Sequence, residues 1–144
     1  MQRIRVIMER APEYHGKVRQ QIRTAEDVYN VLATAADEAD REHFWCVLLD
    51  GRNRVLGINL VAVGTLTSAL VHPREVFKPA IVANAAAIIL AHNHPNGDSA
   101  PSREDIDLTK RLRDAGELLG IKIVDHVVIG DRGQFVSMAE THRW

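Results

Sequence analysis

AIILAHNHPNGDSAPSREDIDLTKRLRDAGELLG, residues 87–120, holds the transition on which the fold turns. It opens on a short apolar run, 87–91. That run is too brief for a helix and reads as a buried strand running into His92 and His94. From His94 to Pro101 the chain carries Pro95, Gly97 and Pro101, so this part is a loop. Ser102 then suits a helix N-cap, and Glu104 and Asp105 sit in the first turn, where carboxylates complement the helix dipole. Leu108, Leu112, Ala115 and Leu119 recur at helical spacing as a buried stripe, and Gly120 ends the helix. The segment is therefore strand, loop, helix.

Outward from it, the same reading gives a mixed α/β domain. Residues 121–129 are apolar on both faces apart from Asp125 and His126, as suits an interior strand. Asp131-Arg132-Gly133 turns the chain, and 134–136 adds a short final strand. Upstream, Thr24 with Asp27 three residues on forms a variant capping box. Val28, Val31, Leu32, Ala35 and Ala39 then share one face, so 25–40 is predicted as a helix. Residues 44–49 and 55–63 read as paired strands about the turn Asp50-Gly51-Arg52-Asn53, with 65–71 as a possible extension. Pro73 suits a helical turn through Phe77. Pro79 would break a longer helix, so the segment is split at Lys78 and 80–86 becomes a second short helix. Residues 1–23 are polar and mixed, an N-terminal arm or edge strand ahead of a domain spanning 24–144.

Composition narrows the function. The chain has 144 residues, 46% hydrophobic and 26% charged, an ordinary globular balance for one domain. Its formal net charge of -1 does not favour nucleic acid. One cysteine, Cys46, can form neither an internal disulfide nor a Cys-rich zinc site, and points to a reduced, cytoplasmic setting. No signal peptide or membrane span is legible: the longest apolar stretch, 80–91, is about half a span and carries Asn84.

The chemistry concentrates at His92-Asn93-His94-Pro95 and Ser102-Arg103-Glu104-Asp105. Histidines at i and i+2 project to one side of a strand. Asp105 shares a helix face with Leu108 and Leu112 and so points inward. Two imidazoles and a carboxylate suit Zn2+ and leave a fourth position for water, the pattern of a catalytic site. Each residue alone also has an ordinary reading: a polar loop, an N-cap, a first-turn carboxylate. A nucleoside deaminase is excluded, because that chemistry uses His-x-Glu and a later Cys pair.

The spacing His-x-His-x(7)-Ser-x(2)-Asp is similar to the JAMM motif of JAB/MPN metallopeptidases. The longer stretch VHPREVFKPAIVANAAAIILAHNHPNGDSAPSREDIDLTKRLRDAGELLGIKIVDHVVIG, residues 71–130, resembles the JAB domain of the bacterial RadC family. The resemblance covers roughly residues 24–140. It implies a cytidine-deaminase-like α/β/α sandwich with a mixed, largely antiparallel sheet. It implies His92, His94 and Asp105 as zinc ligands and Ser102 as the hydroxyl that stabilises an oxyanion. It also implies a glutamate base, best matched by Glu42 with Glu75 as rival. The implied activity is zinc-dependent hydrolysis of a peptide or isopeptide bond in a protein or peptide substrate; the near-neutral charge and the lack of a legible span count against nucleic acid and membrane as partners.

The alternatives are a non-catalytic MPN scaffold and a DNA-repair-associated factor. Residues 1–23 are too short for the helix-hairpin-helix domain of full-length RadC proteins, and the short loops imply no ubiquitin substrate. Asp125 and His126 are candidates for groups behind the metal ligands, or for a polar pair satisfied within the sheet. His72 reads as a cap or turn residue and Cys46 as core packing. His15, His43 and His142 read as surface residues, and Trp45 and Trp144 take no assigned role.

Overall fold

The computed structural model describes residues 1–5, 7–66 and 70–144. Its elements run α1 (Ala25–Glu38), β1 (His43–Leu49), β2 (Val55–Val63), α2 (Pro73–Val82), β3 (Ala87–Asn93), α3 (Arg103–Leu119), β4 (Lys122–Ile129) and β5 (Phe135–Ser137). The strands form one sheet in the order β2-β1-β3-β4-β5. Only β3 and β4 are parallel, and the other three pairs are antiparallel. A parallel pair needs a long crossover, and α3 supplies it.

Side chains alternate across the sheet and build two cores. Trp45, Val47, Leu49, Ile89 and Ala91 pack under Val28, Val31 and Leu32 of α1. Phe44, Cys46, Leu48, Ile88 and Leu90 pack under Val76, Phe77 and Ala80 of α2 and Leu112 of α3. One helix on one face and two on the other make the expected α/β/α sandwich, with strands buried on both sides and so apolar throughout.

Most boundaries follow from local chemistry. Thr24 Oγ1 accepts the Asp27 N–H at 3.2 Å, and the Asp27 carboxylate accepts the Thr24 N–H at 3.0 Å, closing the capping box of α1. Gly120 ends α3 at φ 71°, in the left-handed region. His72 caps α2, its Nδ1 accepting the Arg74 N–H at 3.0 Å.

Two expectations need correction. Helix α2 runs unbroken through Pro79, where a split at Lys78 and a second helix over 80–86 were expected. Pro79 cannot donate to the Glu75 carbonyl, but Glu75 is only half-buried, so water can serve that oxygen. The buried face of Val76, Phe77 and Ala80 holds the helix together across the missing bond. In α3 the buried stripe is Asp105, Thr109, Leu112 and Gly116. Leu108 and Ala115 flank it, while Leu119 is 47% exposed. Of the possible extension at 65–71, residues 67–69 lie outside those described, and β2 ends at Val63. The described part of 1–23 contributes one bridge, Gln21 with Arg54, and no strand.

Gly116 explains how closely α3 lies on the sheet. A Cβ there would stand 2.5 Å from the Ile121 carbonyl oxygen and 3.3 Å from the Phe77 ring. Alanine would gain about 1 kcal/mol of helix propensity. The clash is with backbone that cannot move alone, and overpacking of this kind costs about 1–3 kcal/mol. Gly116→Ala is therefore expected to lower the denaturant midpoint, and a rise would show that α3 is not held at this distance.

Candidate metal centre

β3 delivers the first two groups. His92 is its penultimate residue, on the face that carries Ile88 and Leu90, and His94 follows two residues on. Their Nε2 atoms stand 2.9 Å apart. Asp105 enters from the first turn of α3: His92 Nε2 is 3.2 Å from Oδ1 and His94 Nε2 is 3.0 Å from Oδ2. Ligands at about 2.0–2.1 Å from a tetrahedral zinc would be roughly 3.3 Å from one another; the two Asp105 distances are to different oxygens, and with one donor atom per residue the three lie within 4.8 Å, a set that could hold a metal ion. Among the described residues this is the one such group of His, Cys, Asp and Glu.

The cap of α3 and the site share one carboxylate. Ser102 Oγ accepts the Asp105 N–H at 3.0 Å, and Asp105 Oδ2 accepts the Ser102 N–H at 2.8 Å. This capping box fixes the carboxylate where the histidines converge. The intervening loop is held by close backbone packing. Gly97, at φ 88°, donates to the His94 carbonyl, and the Asp131 N–H donates to the Gly97 carbonyl. A Cβ on Gly130 would collide with that same carbonyl. The loop so placed puts the Asp98 carbonyl 2.7 Å from His94 Nδ1. A carbonyl only accepts, so Nδ1 carries the hydrogen and Nε2 of neutral His94 presents its lone pair to the centre.

Among the described residues neither Glu42 nor Glu75 is in an ion pair with this cluster, but the charge of Glu42 reaches His94. Glu42 is part-buried just before β1, its Oε2 accepting the Leu66 N–H at 3.2 Å. Its charge helps raise the pKa of His94. Asn93, between the two histidines, faces the other way. Its Oδ1 accepts the His43 N–H at 2.6 Å and its Nδ2 donates to the Arg41 carbonyl at 3.1 Å, clamping the backbone on both sides of Glu42. Glu75 lies on α2 in ion pairs with Lys78 and Arg74.

Asp125 and His126 separate. The Asp125 carboxylate accepts from Ser137 Oγ at 2.6 Å and from the Ala139 N–H at 3.1 Å, holding the chain after β5. His126 lies behind the metal ligands, its Nε2 2.7 Å from His92 Nδ1. A bulge puts it there. β3 pairs Ile88 with Ile123 but Ile89 with Asp125, so Val124 is an extra residue. The extra residue inverts the alternation and brings His126 opposite Leu90. Phe44 covers both rings, stacked on His92 at 6.0 Å and edge-on to His126 at 5.5 Å.

The remaining singled-out residues are ordinary. Cys46 is buried, and burial pushes its thiol up to about 12, so it is inert core. His43 is half-buried and stacks on Trp45, whereas a surface position was expected. His15 and His142 are exposed, and Trp144 lies under Arg113 at 4.2 Å. Sequence reading passed over Thr109, Asn93 and Phe44. Thr109 had a signal: it stands four residues after Asp105, on the same helix face.

Hydrogen bonding to Asp105 raises His94 above the ordinary imidazole range, against burial, with the Asp98 carbonyl adding to it. Burial pushes the Asp105 carboxyl up, but the His92 and His94 rings that face it and the Ser102 N–H that it accepts hold it well below the usual range. The signs are opposite. His94 stabilises the metal-free fold fully below about 6.5, and this is lost as pH rises through its raised value. Asp105 contributes above about 3.8, and this is lost as pH falls through its lowered value. The thermal midpoint of the metal-free chain should thus fall on both sides. Asp105→Asn is expected to flatten the alkaline fall and weaken the acid one; an unchanged alkaline fall would show that this pair does not cause it.

Residues 22–143 match the family described as the RadC-like JAB domain. A UPF0758 protein of Desulforudis audaxviator is 51% identical over 123 residues, 85% of this chain and 53% of that protein. One from Moorella thermoacetica is 55% identical over 119 residues, 83% of this chain and 52% of that protein. One from Geobacter sulfurreducens is 52% identical over 112 residues, 78% of this chain and 48% of that protein. The chain spans about half the length of these relatives. The matched span includes all five strands, all three helices and the His92, His94 and Asp105 cluster, and the chain belongs to the RadC-like JAB domain family.

Proposed function

We propose that this domain is a zinc-dependent hydrolase of the JAMM class, cleaving a peptide or isopeptide bond in a protein or peptide substrate. The observation that carries this reading is the convergence of His92 Nε2, His94 Nε2 and the Asp105 carboxylate within 3.2 Å of one another. Three protein ligands leave a coordination position for substrate or water, as catalytic zinc sites do. Zinc held there would polarise a carbonyl and make water acidic near neutrality.

The chain's own residues would do the rest. Ser102 Oγ accepts the Asp105 N–H, and among the described residues no acceptor takes its hydrogen. That hydroxyl can donate to an oxygen that gains negative charge as the carbonyl is attacked. Glu42 is the base. Its Oε2 accepts the Leu66 N–H, and among the described residues no donor reaches Oε1, which can take a proton from water and return it to the leaving amine. The buried walls of Phe44 and Leu90 limit solvent on the inner side. Among the described residues no helix is long and apolar enough to cross a membrane. With a single, buried cysteine, this fits the proposed cytoplasmic setting.

Elemental analysis of the purified chain is expected to find about one zinc per chain, lost in His94→Ala. Zinc absent from both, even after reconstitution, would overturn the hydrolase reading. Glu42→Gln is expected to keep zinc and lose turnover of peptide and isopeptide libraries by about 10²–10⁴-fold. Full activity in that variant would assign the base elsewhere.

A further inference from the structure

Thr109 and His126 form a chain of contacts that ends on a metal ligand. Thr109 Oγ1 is 2.6 Å from the Asp105 carbonyl oxygen and 2.6 Å from His126 Nδ1. His126 Nε2 is 2.7 Å from His92 Nδ1. All three side chains are fully buried, so water cannot substitute for a missing partner. The direction of every hydrogen in this chain is fixed by its far end.

A carbonyl oxygen cannot donate, so Thr109 must give its only hydroxyl hydrogen to Asp105. The hydroxyl then accepts from His126, and His126 Nδ1 must carry a hydrogen. His126 is fully buried, and among the described residues no carboxylate pairs with it, so a charge there would have no counter-ion; the ring is neutral and its Nε2 is an acceptor. His92 must therefore hold its hydrogen on Nδ1, which leaves the lone pair on Nε2, the atom facing His94 and Asp105. Thr109 Oγ1 also lies 3.8 Å from Met138 Sδ, a contact too long to compete for the hydrogen.

We propose that Thr109 and His126 are positioning residues that lock His92 in the one tautomer able to present Nε2 to a metal. The Asp98 carbonyl does the same for His94 in a single step. The two ligands are thus set from opposite sides, one by the loop and one through the core. The device also couples the ligands: the carbonyl that starts the chain belongs to Asp105, so the helix that brings the carboxylate also orients His92. This inference rests on the metal-holding part of the reading above and not on hydrolysis.

The test uses the whole chain, labelled with 15N-histidine, and zinc as the probe. Long-range 15N–1H correlation on the metal-free native protein in alkaline buffer is expected to show His92 and His126 both protonated at Nδ1. An Nε2-protonated form of either overturns the proposal without any variant. Thr109→Val keeps the shape and removes the hydroxyl. It is expected to leave the His92 tautomer mixed and to weaken zinc affinity about 10–100-fold in a competition with a chromogenic chelator. Thr109→Ser is expected to restore both. If Thr109→Val moves only one of the two readouts, or neither, the proposal fails. Loss of zinc by the native chain itself would count against the metal reading, while the tautomers would still be read.

Discussion

A carboxylate taken out of water must find its partners within the protein, and Asp105 is such a group: its side chain is 9% exposed. Unpaired, it would be costly enough to protonate or to unfold its surroundings. Here Oδ2 takes the Ser102 N–H and faces His94, while Oδ1 faces His92. Satisfying this charge requires the end of β3, the Asp98 loop and the start of α3 to meet at one point. The close seat of α3 on the sheet at Gly116 and the backbone contact of the loop with Gly130 are the means by which they meet.

The second constraint is the core behind the histidines. An interior sheet face should be apolar, yet His92, His126 and Thr109 are buried in it with every polar atom paired. Such a network is tolerated only when complete, because a half-satisfied one leaves an orphaned donor or acceptor in a low-dielectric interior. Its completeness depends on the extra residue in β4. Regular alternation would turn His126 toward α1 and leave His92 Nδ1 facing hydrocarbon.

The site grades from part-buried to buried: the His94 side chain is 12% exposed and that of His92 not at all. Glu42 and Ser102 are part-buried at the rim, held by the Leu66 N–H and by the cap of α3. The ligands behind them are fixed through hydrogen bonds to backbone carbonyls, of Asp98 for His94 and, through two side chains, of Asp105 for His92. Backbone carbonyls inside a packed domain move less than side chains do, so the lone pairs point where the ion would sit.

What the sequence determined by itself was whatever depends on neighbours along the chain. The capping box of α1, the Ser102 N-cap, the strand over 55–63, the Gly120 stop and the His-x-His pair at a strand end all follow from spacings of a few residues. Helix α2 escaped that logic, because its continuity through Pro79 is supplied by Val76, Phe77 and Ala80 pressed on the sheet. The inward stripe of α3 was displaced for the same reason, since Gly116 and Thr109 bury where the sheet comes close and Leu119 overhangs the edge. Only the tertiary structure decided that the charge of Glu42 reaches His94, that Asn93 clamps the backbone on both sides of Glu42, and that His126 and Asp125, adjacent in sequence, part company. The physical reason is that these placements are set by strand register, and one extra residue in β4 is enough to change which face a side chain meets.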